Sequence, residues 1–538
     1  MAVITQSHVA LSSTLTSSHF HGASRTTTLF PLRLPKAKER QLSTLKSLPE
    51  QSHSVAWSLQ ATAESATHES IQYDQNGSVE AEAKEAEDER DLFDWYAQWY
   101  PVAVVDNLDK RVPHAVTIIG KDLVVWWDRN EERWQVWEDK CPHRLAPLSE
   151  GRINEKGELQ CSYHGWCFSG CSGSCTFIPQ APLDGAPVWK SNCACASIYP
   201  SAEQEGLIWF WPDSRAELRS IAERKGPPSI PALADPTFKD ELHSRDLPYG
   251  YEQLIENLMD PAHVPFAHHG LQGSREKARP LNYKVGKIEK TGYLGEAENG
   301  PATFTAPCIF TLDAQFSGPK NAGGSAAKPA KRIILVFICI PVSPGQSKVI
   351  WSFRRNFSFW IEPLIPRWVI HLRQMLVLDS DLYLLHLTER KLIEAEKKTS
   401  WEKACYVPTT SDAFVIAFRK WLKNFAGGGP NWGGQYGQLP PTPPKEQLMD
   451  RYWSHVKQCR HCSTAMRVFQ GAEVFFQALS IAIASVLGVA AIKPIPQLRS
   501  YSTVLVVVAI ASSILSKWLS HFVYKTYRFH DYNHALVK

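Results

Sequence analysis

Two apolar runs near the end of the chain make the first division. Val474 to Ile492 (VFFQALSIAIASVLGVAAI) holds one amide and no charge, and Thr503 to about Tyr524 is a second such run beyond a loop with Lys493, two prolines and Arg499. Each is near the length that crosses a hydrocarbon core. Lys517 and His521 interrupt the second run, and a lysine so placed can snorkel to an interface. The pattern predicts a transmembrane hairpin over residues 471–526, with the large preceding part and the tail 527–538 on one side. Two helices buried in a soluble core would leave a similar trace. Upstream, AVTIIGKDLVVWWDRN, RWQVWED and GLIWFWPD are β-branched and aromatic runs broken by Gly, Asp and Asn, which predicts short strands. RQMLVLDSDLYLLHLTERKL reads as helix.

Composition narrows the classes. At 538 residues and 44% apolar, the chain is long enough for two or more domains. A net charge of +4 with no long basic stripe excludes nucleic acid as a partner. Twelve cysteines, locally clustered, point to metal or redox use in a reducing compartment. Nineteen tryptophans suit a protein that handles a large flat apolar ligand, although tryptophan also fills cores. Residues 1–60 are rich in Ser and Thr (SSTLTSSHFHGASRTTTLF), with Arg25, Arg33, Lys36, Lys38, Arg40 and Lys46 against only Glu39 and Glu50. That is the composition of a plastid or mitochondrial transit peptide, with the Ser/Thr richness favouring plastid; a disordered tail is the plainer reading. Residues 61–92, with SVEAEAKEAEDERD, read as an acidic solvated linker. SGPKNAGGSAAKPAKR from Ser317 reads as an exposed insertion, and AGGGPNWGGQYGQLPPTPP from Ala426 opens a linker running to residue 470.

Chemistry concentrates in CPHRLAPLSEGRINEKGELQCSYHGW, Cys141 to Trp166. Cys141 and His143 form C-x-H; after seventeen intervening residues Cys161 and His164 form C-x-x-H. Four such ligands suit tetrahedral zinc, or a [2Fe–2S] cluster with two thiolates on one iron and two imidazoles on the other. Neutral imidazoles remove negative charge from such a cluster and raise its potential, as a one-electron relay needs. Cys-Pro-His-Arg and Cys-x-Tyr-His-Gly-Trp go beyond ligand spacing, and here the chain resembles the Rieske domain of ring-hydroxylating oxygenases. Cys167, Cys171, Cys175, Cys193 and Cys195 follow closely without a clear motif.

A relay needs an acceptor. YGYEQLIENLMDPAHVPFAHHGL contains N-x-x-D-x-x-H-x4-H, from Asn257 through Asp260 and His263 to His268. Two imidazoles and a carboxylate on one side of Fe(II) leave positions open for dioxygen. A five-residue spacing does not put both rings on one face of a straight helix, but Pro265 favours a bent segment that brings them together. Asp260-Pro261 could equally be a helix cap. Resemblance to Rieske oxygenases implies a third ligand that opens D-x-x-apolar-apolar on a long helix. DLYLL matches it at Asp381, with Asp379 second. It also implies that Asp260, supported by Asn257, bridges the iron's histidine to a Rieske histidine of the next subunit in a ring-shaped homotrimer.

Transit peptide, Rieske motif, iron motif, Cys459-x-x-Cys462 in HVKQCRHC and C-terminal hairpin occur in the order of the plastid pheophorbide a oxygenase-like group, which includes inner-envelope translocon components. FDWYAQWYPV, DLVVWWDRNE, ENLMDPAHVP, FICIPVSPG and KWLSHFVYKTYRFHDYNHA look most like its protochlorophyllide-dependent branch. The resemblance covers roughly Phe93 to Lys420 and implies an α+β fold. A β-rich Rieske domain (93–215) would precede an antiparallel-sheet and helix (START-like) catalytic domain (216–425). It further implies ferredoxin as reductant, a Rieske cluster, mononuclear Fe(II) and a chlorophyll-type tetrapyrrole substrate such as protochlorophyllide a. The location would be the inner envelope rather than the thylakoid, beside the translocon. Cys459 and Cys462 would be a redox-regulatory pair open to thioredoxin; zinc or two inert thiols are the plainer readings. Ring opening of pheophorbide a, or a non-catalytic redox- and pigment-sensing role in protein import, are the alternatives.

Overall fold

The computed structural model describes residues 92–537 apart from 183–186, 214–219, 221, 223, 317–329, 359–363, 435–438 and 494–495. The expected transit peptide, nearly all of the acidic linker and most of the Ser317 insertion lie outside the described residues.

Short strands dominate the first third. β1 (Tyr100–Val104) pairs with β11 (Leu207–Phe210), which also pairs with β10 (Ser201–Gln204). β2 (His114–Ile118), β3 (Lys121–Asp128), β4 (Arg133–Glu138) and β9 (Ile198–Tyr199) form a second sheet. A small third sheet holds β5 (Arg152–Ile153), β6 (Leu159–Gln160), β7 (Cys167–Phe168) and β8 (Cys175–Phe177). Trp126 and Trp137 lie edge to face at 5.1 Å under this part, while Trp95, Trp209, Trp211 and Trp421 are buried elsewhere. These six tryptophans are core residues, the second of the two uses expected for them, and the buried indole N–H groups of Trp126, Trp137 and Trp211 have no hydrogen-bond partner among the described residues.

Among the described residues, the part expected to be catalytic is built on a seven-stranded antiparallel sheet. From β12 (His243–Leu247), β13 (Lys284–Glu289), β14 (Gly292–Ala297), β15 (Gly300–Thr305), β16 (Ile309–Phe316), β17 (Lys331–Ser343) and β18 (Gln346–Arg355), the order is β12-β18-β17-β16-β15-β14-β13. Chain neighbours β13 to β18 pair as successive antiparallel strands, and β12 closes one edge on β18. The helices that matter for the site are α1 (Tyr251–Met259), α2 (Val264–Ala267) and α3 (Arg367–Glu396). Helix α4 (Ala413–Phe425) puts Phe414, Phe418 and Trp421 on one buried stripe against this sheet. Gly295 permits that approach, since a Cβ there would meet Phe414 Cε1 at 2.2 Å. The segment before β1 docks on the same helix: Phe93 N–H donates to Phe425 O (2.6 Å) and Trp95 Nε1 to Ala426 O (3.1 Å).

Two long helices close the chain, α5 (Arg460–Ile492) and α6 (Pro496–Val523), packed on each other. Both are long and apolar enough to cross a membrane. Val474, Phe475, Ile481, Val489, Val504 and Ile514 are exposed along them, more apolar surface than soluble proteins usually leave uncovered. Helix α5 starts at Arg460, inside the stretch expected as linker. Its first turns carry Arg460, His461 and Arg467, which hide them from a hydropathy pattern, while Cys462, Ala465 and Met466 bury against the catalytic part. The tail after α6 also returns there. Arg451 N–H donates to Arg528 O (2.8 Å), and Arg275 Nη2 to Val537 O (3.1 Å).

Glu389 of α3 ties that helix to the start of α1, its Oε1 accepting the Gly250 N–H at 2.8 Å while Oε2 has no partner. Burial first and neighbouring Glu252 next push its carboxyl up to about 7, and the Gly250 N–H only partly opposes them. The folded state therefore holds this proton more tightly than the unfolded chain. Its contribution is complete below the unfolded pKa near 4.5 and is lost as pH rises through about 7. Thermal melts of the unsubstituted protein should weaken over that window by up to about 3 kcal/mol. Glu389→Gln, which keeps the acceptor, should flatten the slope; an unchanged slope would show that Glu389 does not titrate there.

Candidate functional site

The two Cys/His loops are built alike. Cys141 N–H donates to Ala146 O (2.8 Å) and Leu145 N–H to Cys141 O (2.9 Å); Cys161 N–H donates to Trp166 O (2.9 Å) and Gly165 N–H to Cys161 O (3.1 Å). The fifth residue of each loop is left-handed, Leu145 at φ 61° and Gly165 at φ 75°. Glycine takes this conformation freely, while leucine holds it under strain. Both cysteines are buried, whereas His143 is exposed and His164 half-buried. The two imidazoles meet edge to face at 4.5 Å, and Trp166 stacks on His143 at 4.6 Å.

Burial pushes the Cys141 thiol up to about 12, with Cys161 adding to it. Without a cation Cys141 would stay a protonated thiol, so a metal is what would make it a thiolate. Two buried sulfurs and two more exposed imidazoles fit the donor set that would hold a [2Fe–2S] cluster. Of the other nearby cysteines, Cys167 and Cys175 are buried; Gln160 Nε2 lies 3.3 Å from Cys167 Sγ.

The second site assembles from α1, α2 and α3. Helix α1 ends at Asp260, whose Oδ1 accepts the Ala262 N–H at 2.7 Å, so this residue turns the chain instead of capping α2 at its start. His263 and His268 flank the single turn of α2. Their Nε2 atoms lie 3.1 Å apart, and Asp381 Oδ2 is 3.8 Å from His263 Nε2 and 3.2 Å from His268 Nε2. The structure thus brings His263, His268 and Asp381 together. Asp379 lies instead in a buried ion pair with Arg245 (2.7 Å).

Ser380, which sequence reasoning missed, orients the pair. Its hydroxyl donates to Val377 O (2.6 Å), so its oxygen accepts the His268 Nδ1–H at 2.7 Å. That fixes the tautomer and leaves the His268 Nε2 lone pair for a metal. The tail reaches the same residue, His534 Nε2 donating to Ser380 O at 2.8 Å. Asp260 Oδ2 is 3.6 Å from His263 Nδ1, an ion-pair distance too long for a hydrogen bond. Asn257 Nδ2 is 3.4 Å from His263 Nε2. Burial alone would disfavour the His263 imidazolium, but the Asp260 and Asp381 carboxylates overcome it and raise its pKa. Donor set and charge both fit a divalent cation with open positions.

The Rieske [2Fe-2S] domain model matches residues 98–189 and the pheophorbide a oxygenase model residues 304–399. The chain is 46% identical to protochlorophyllide-dependent translocon component 52 of Arabidopsis thaliana over 83% of its own length and 86% of that protein. It is 44% identical to flavonoid 8-hydroxylase 2 of Ocimum basilicum (84% and 88%) and 37% identical to pheophorbide a oxygenase of Oryza sativa subsp. japonica (83% and 86%). Fold and sites together define a Rieske non-haem iron oxygenase, an enzyme with a Rieske cluster and a mononuclear iron. The chain belongs to the pheophorbide a oxygenase-like group of chloroplast proteins.

Proposed function

We propose that this chain is a monooxygenase of the chloroplast inner envelope, held there by α5 and α6, that hydroxylates a chlorophyll-type tetrapyrrole with electrons from ferredoxin. Protochlorophyllide a is the favoured substrate: successive hydroxylations of a ring methyl give a hydrated aldehyde that loses water to a formyl group. The observation that carries the oxygenase reading is the convergence of His263, His268 and Asp381 in a chain that also keeps both Cys/His loops. The choice of pigment rests on the similarity to the protochlorophyllide-dependent relative.

In this reading Cys141, Cys161, His143 and His164 hold the cluster, and His263, His268 and Asp381 hold the iron. When bound, the cluster supplies electrons singly and the iron supplies the place where dioxygen is activated. The protein's part is positioning. Ser380 holds the His268 ring, and the partly exposed Asp260 carries the link from His263 toward the exposed His143 edge of a neighbouring copy in a homotrimer. Asn257 supports His263. The translocon supplies neighbours at the membrane, and thioredoxin is the partner for Cys459 and Cys462 wherever that pair is oxidised.

A second reading has its own support, because the flavonoid hydroxylase is nearly as similar as the translocon component. The test is one assay. Purified protein with its cluster reduced by ferredoxin is offered protochlorophyllide a, chlorophyllide a, pheophorbide a and a flavone under labelled dioxygen. Label in protochlorophyllide a is the expected result. Label only in the flavone moves the chain to flavonoid chemistry, and label only in pheophorbide a to ring opening. A reducible cluster with no labelled product favours a sensing role in import.

A further inference from the structure

Away from both of these sites, four metal-binding side chains meet at the foot of the hairpin. His371 comes from α3, His455 from the turn Tyr452–Val456, Cys459 caps the start of α5, and Cys462 sits in its first turn. All four are buried, and one donor atom from each lies within 4.8 Å of every other. His371 Nδ1 is 3.3 Å from Cys459 Sγ and 3.5 Å from Cys462 Sγ. Zinc–sulfur and zinc–nitrogen bonds of about 2.3 and 2.0–2.1 Å in a tetrahedron put ligand atoms about 3.3–3.8 Å apart. The observed spacings match.

The orientation of His455 is the independent sign of a ligand. Its Nδ1–H donates to Ser244 O in β12 at 2.7 Å, which fixes the tautomer and leaves Nε2 a bare lone pair. That Nε2 is buried and has no hydrogen-bond partner. A buried acceptor left unmatched carries its full desolvation penalty, which a bound cation would offset. We propose that His371, His455, Cys459 and Cys462 form a closed Cys2His2 zinc site that staples the foot of the membrane hairpin to the helix carrying Asp381. Four protein ligands leave no open position, so the role is structural. Two sulfurs and two nitrogens in tetrahedral array select zinc over the harder cations. The site also gives Cys459 and Cys462 a resting state other than a disulfide, which would consume both thiolates and leave the two imidazoles without a cation.

The test is metal content of the full chain purified in detergent from cells supplied with iron and zinc. About one zinc per chain is expected, and the zinc X-ray absorption edge should report two sulfurs near 2.3 Å and two nitrogens near 2.0 Å. In the Cys462→Ser/His455→Ala variant zinc should fall at least about tenfold, while the Rieske absorbance persists. Absence of zinc from the unsubstituted protein, iron in its place, a Cys459–Cys462 disulfide in the protein as purified, or a zinc shell without sulfur would each overturn the proposal. So would zinc retained by the variant. If the variant does not fold, the absorption edge of the unsubstituted protein decides alone.

Discussion

Asp381→Ala is expected to empty the mononuclear site and lower oxygen incorporation by well over a hundredfold, leaving the Rieske absorbance unchanged. Asp381 is the one carboxylate in the set, with Oδ2 3.2 Å from His268 Nε2. Its loss leaves two neutral imidazoles to hold a divalent cation, so nothing balances the charge. Removing an outer-shell partner typically costs about 10–100-fold, and removing a ligand costs more. Ser380→Ala supplies that smaller step for comparison, because it frees the His268 ring without deleting a donor. Iron per chain, the cluster's visible spectrum and labelled-oxygen incorporation measured together separate the cases. An Asp381→Ala protein that keeps mononuclear iron and turnover would sink the assignment.

What was legible in the sequence follows from how far apart the cooperating residues lie. Each Cys/His loop is a local turn, so its chemistry imposes a local spacing that can be read directly. His263 and His268 are also close in sequence, flanking one helical turn. Choosing Asp381 over Asp379 needed a family pattern, because periodicity alone does not say which of two aspartates faces α2 and which faces Arg245. Ser380 between them gave no signal, since its role depends on a ring 112 positions upstream. The Cys459/Cys462 pair was visible as a motif, but His371 and His455 were not, because their approach is produced by the packing of α3 beneath α5. The first turns of α5, ahead of the expected hairpin, gave no signal for a related reason. They are charged on one side and buried on the other, a pattern that a search for uniformly apolar runs passes over.

Asp379→Ala should have the largest effect on stability, about 3–5 kcal/mol, through charge rather than lost packing. Asp379 is fully buried between two guanidinium groups. Its Oδ1 takes Arg245 Nη2 at 2.7 Å, and its Oδ2 takes Arg451 Nε at 2.8 Å. Both arginines also hold backbone, Arg245 Nη1 donating to Met375 O and Arg451 Nη1 to Thr526 O. The carboxylate thus joins β12, α3 and the segments on either side of the hairpin. Burial already disfavours the charged Arg451, and Asp379 is the first group that offsets it. Alanine would leave two positive charges facing each other in the interior. The penalty is one of isolation, so it should largely disappear when Arg245 and Arg451 are replaced by methionine in the same protein. The thermal midpoint of detergent-solubilised protein should therefore rank unsubstituted above triple variant above Asp379→Ala. A triple variant less stable than Asp379→Ala would mean that the arginines' backbone contacts, and not their charges, hold the hairpin to the catalytic body.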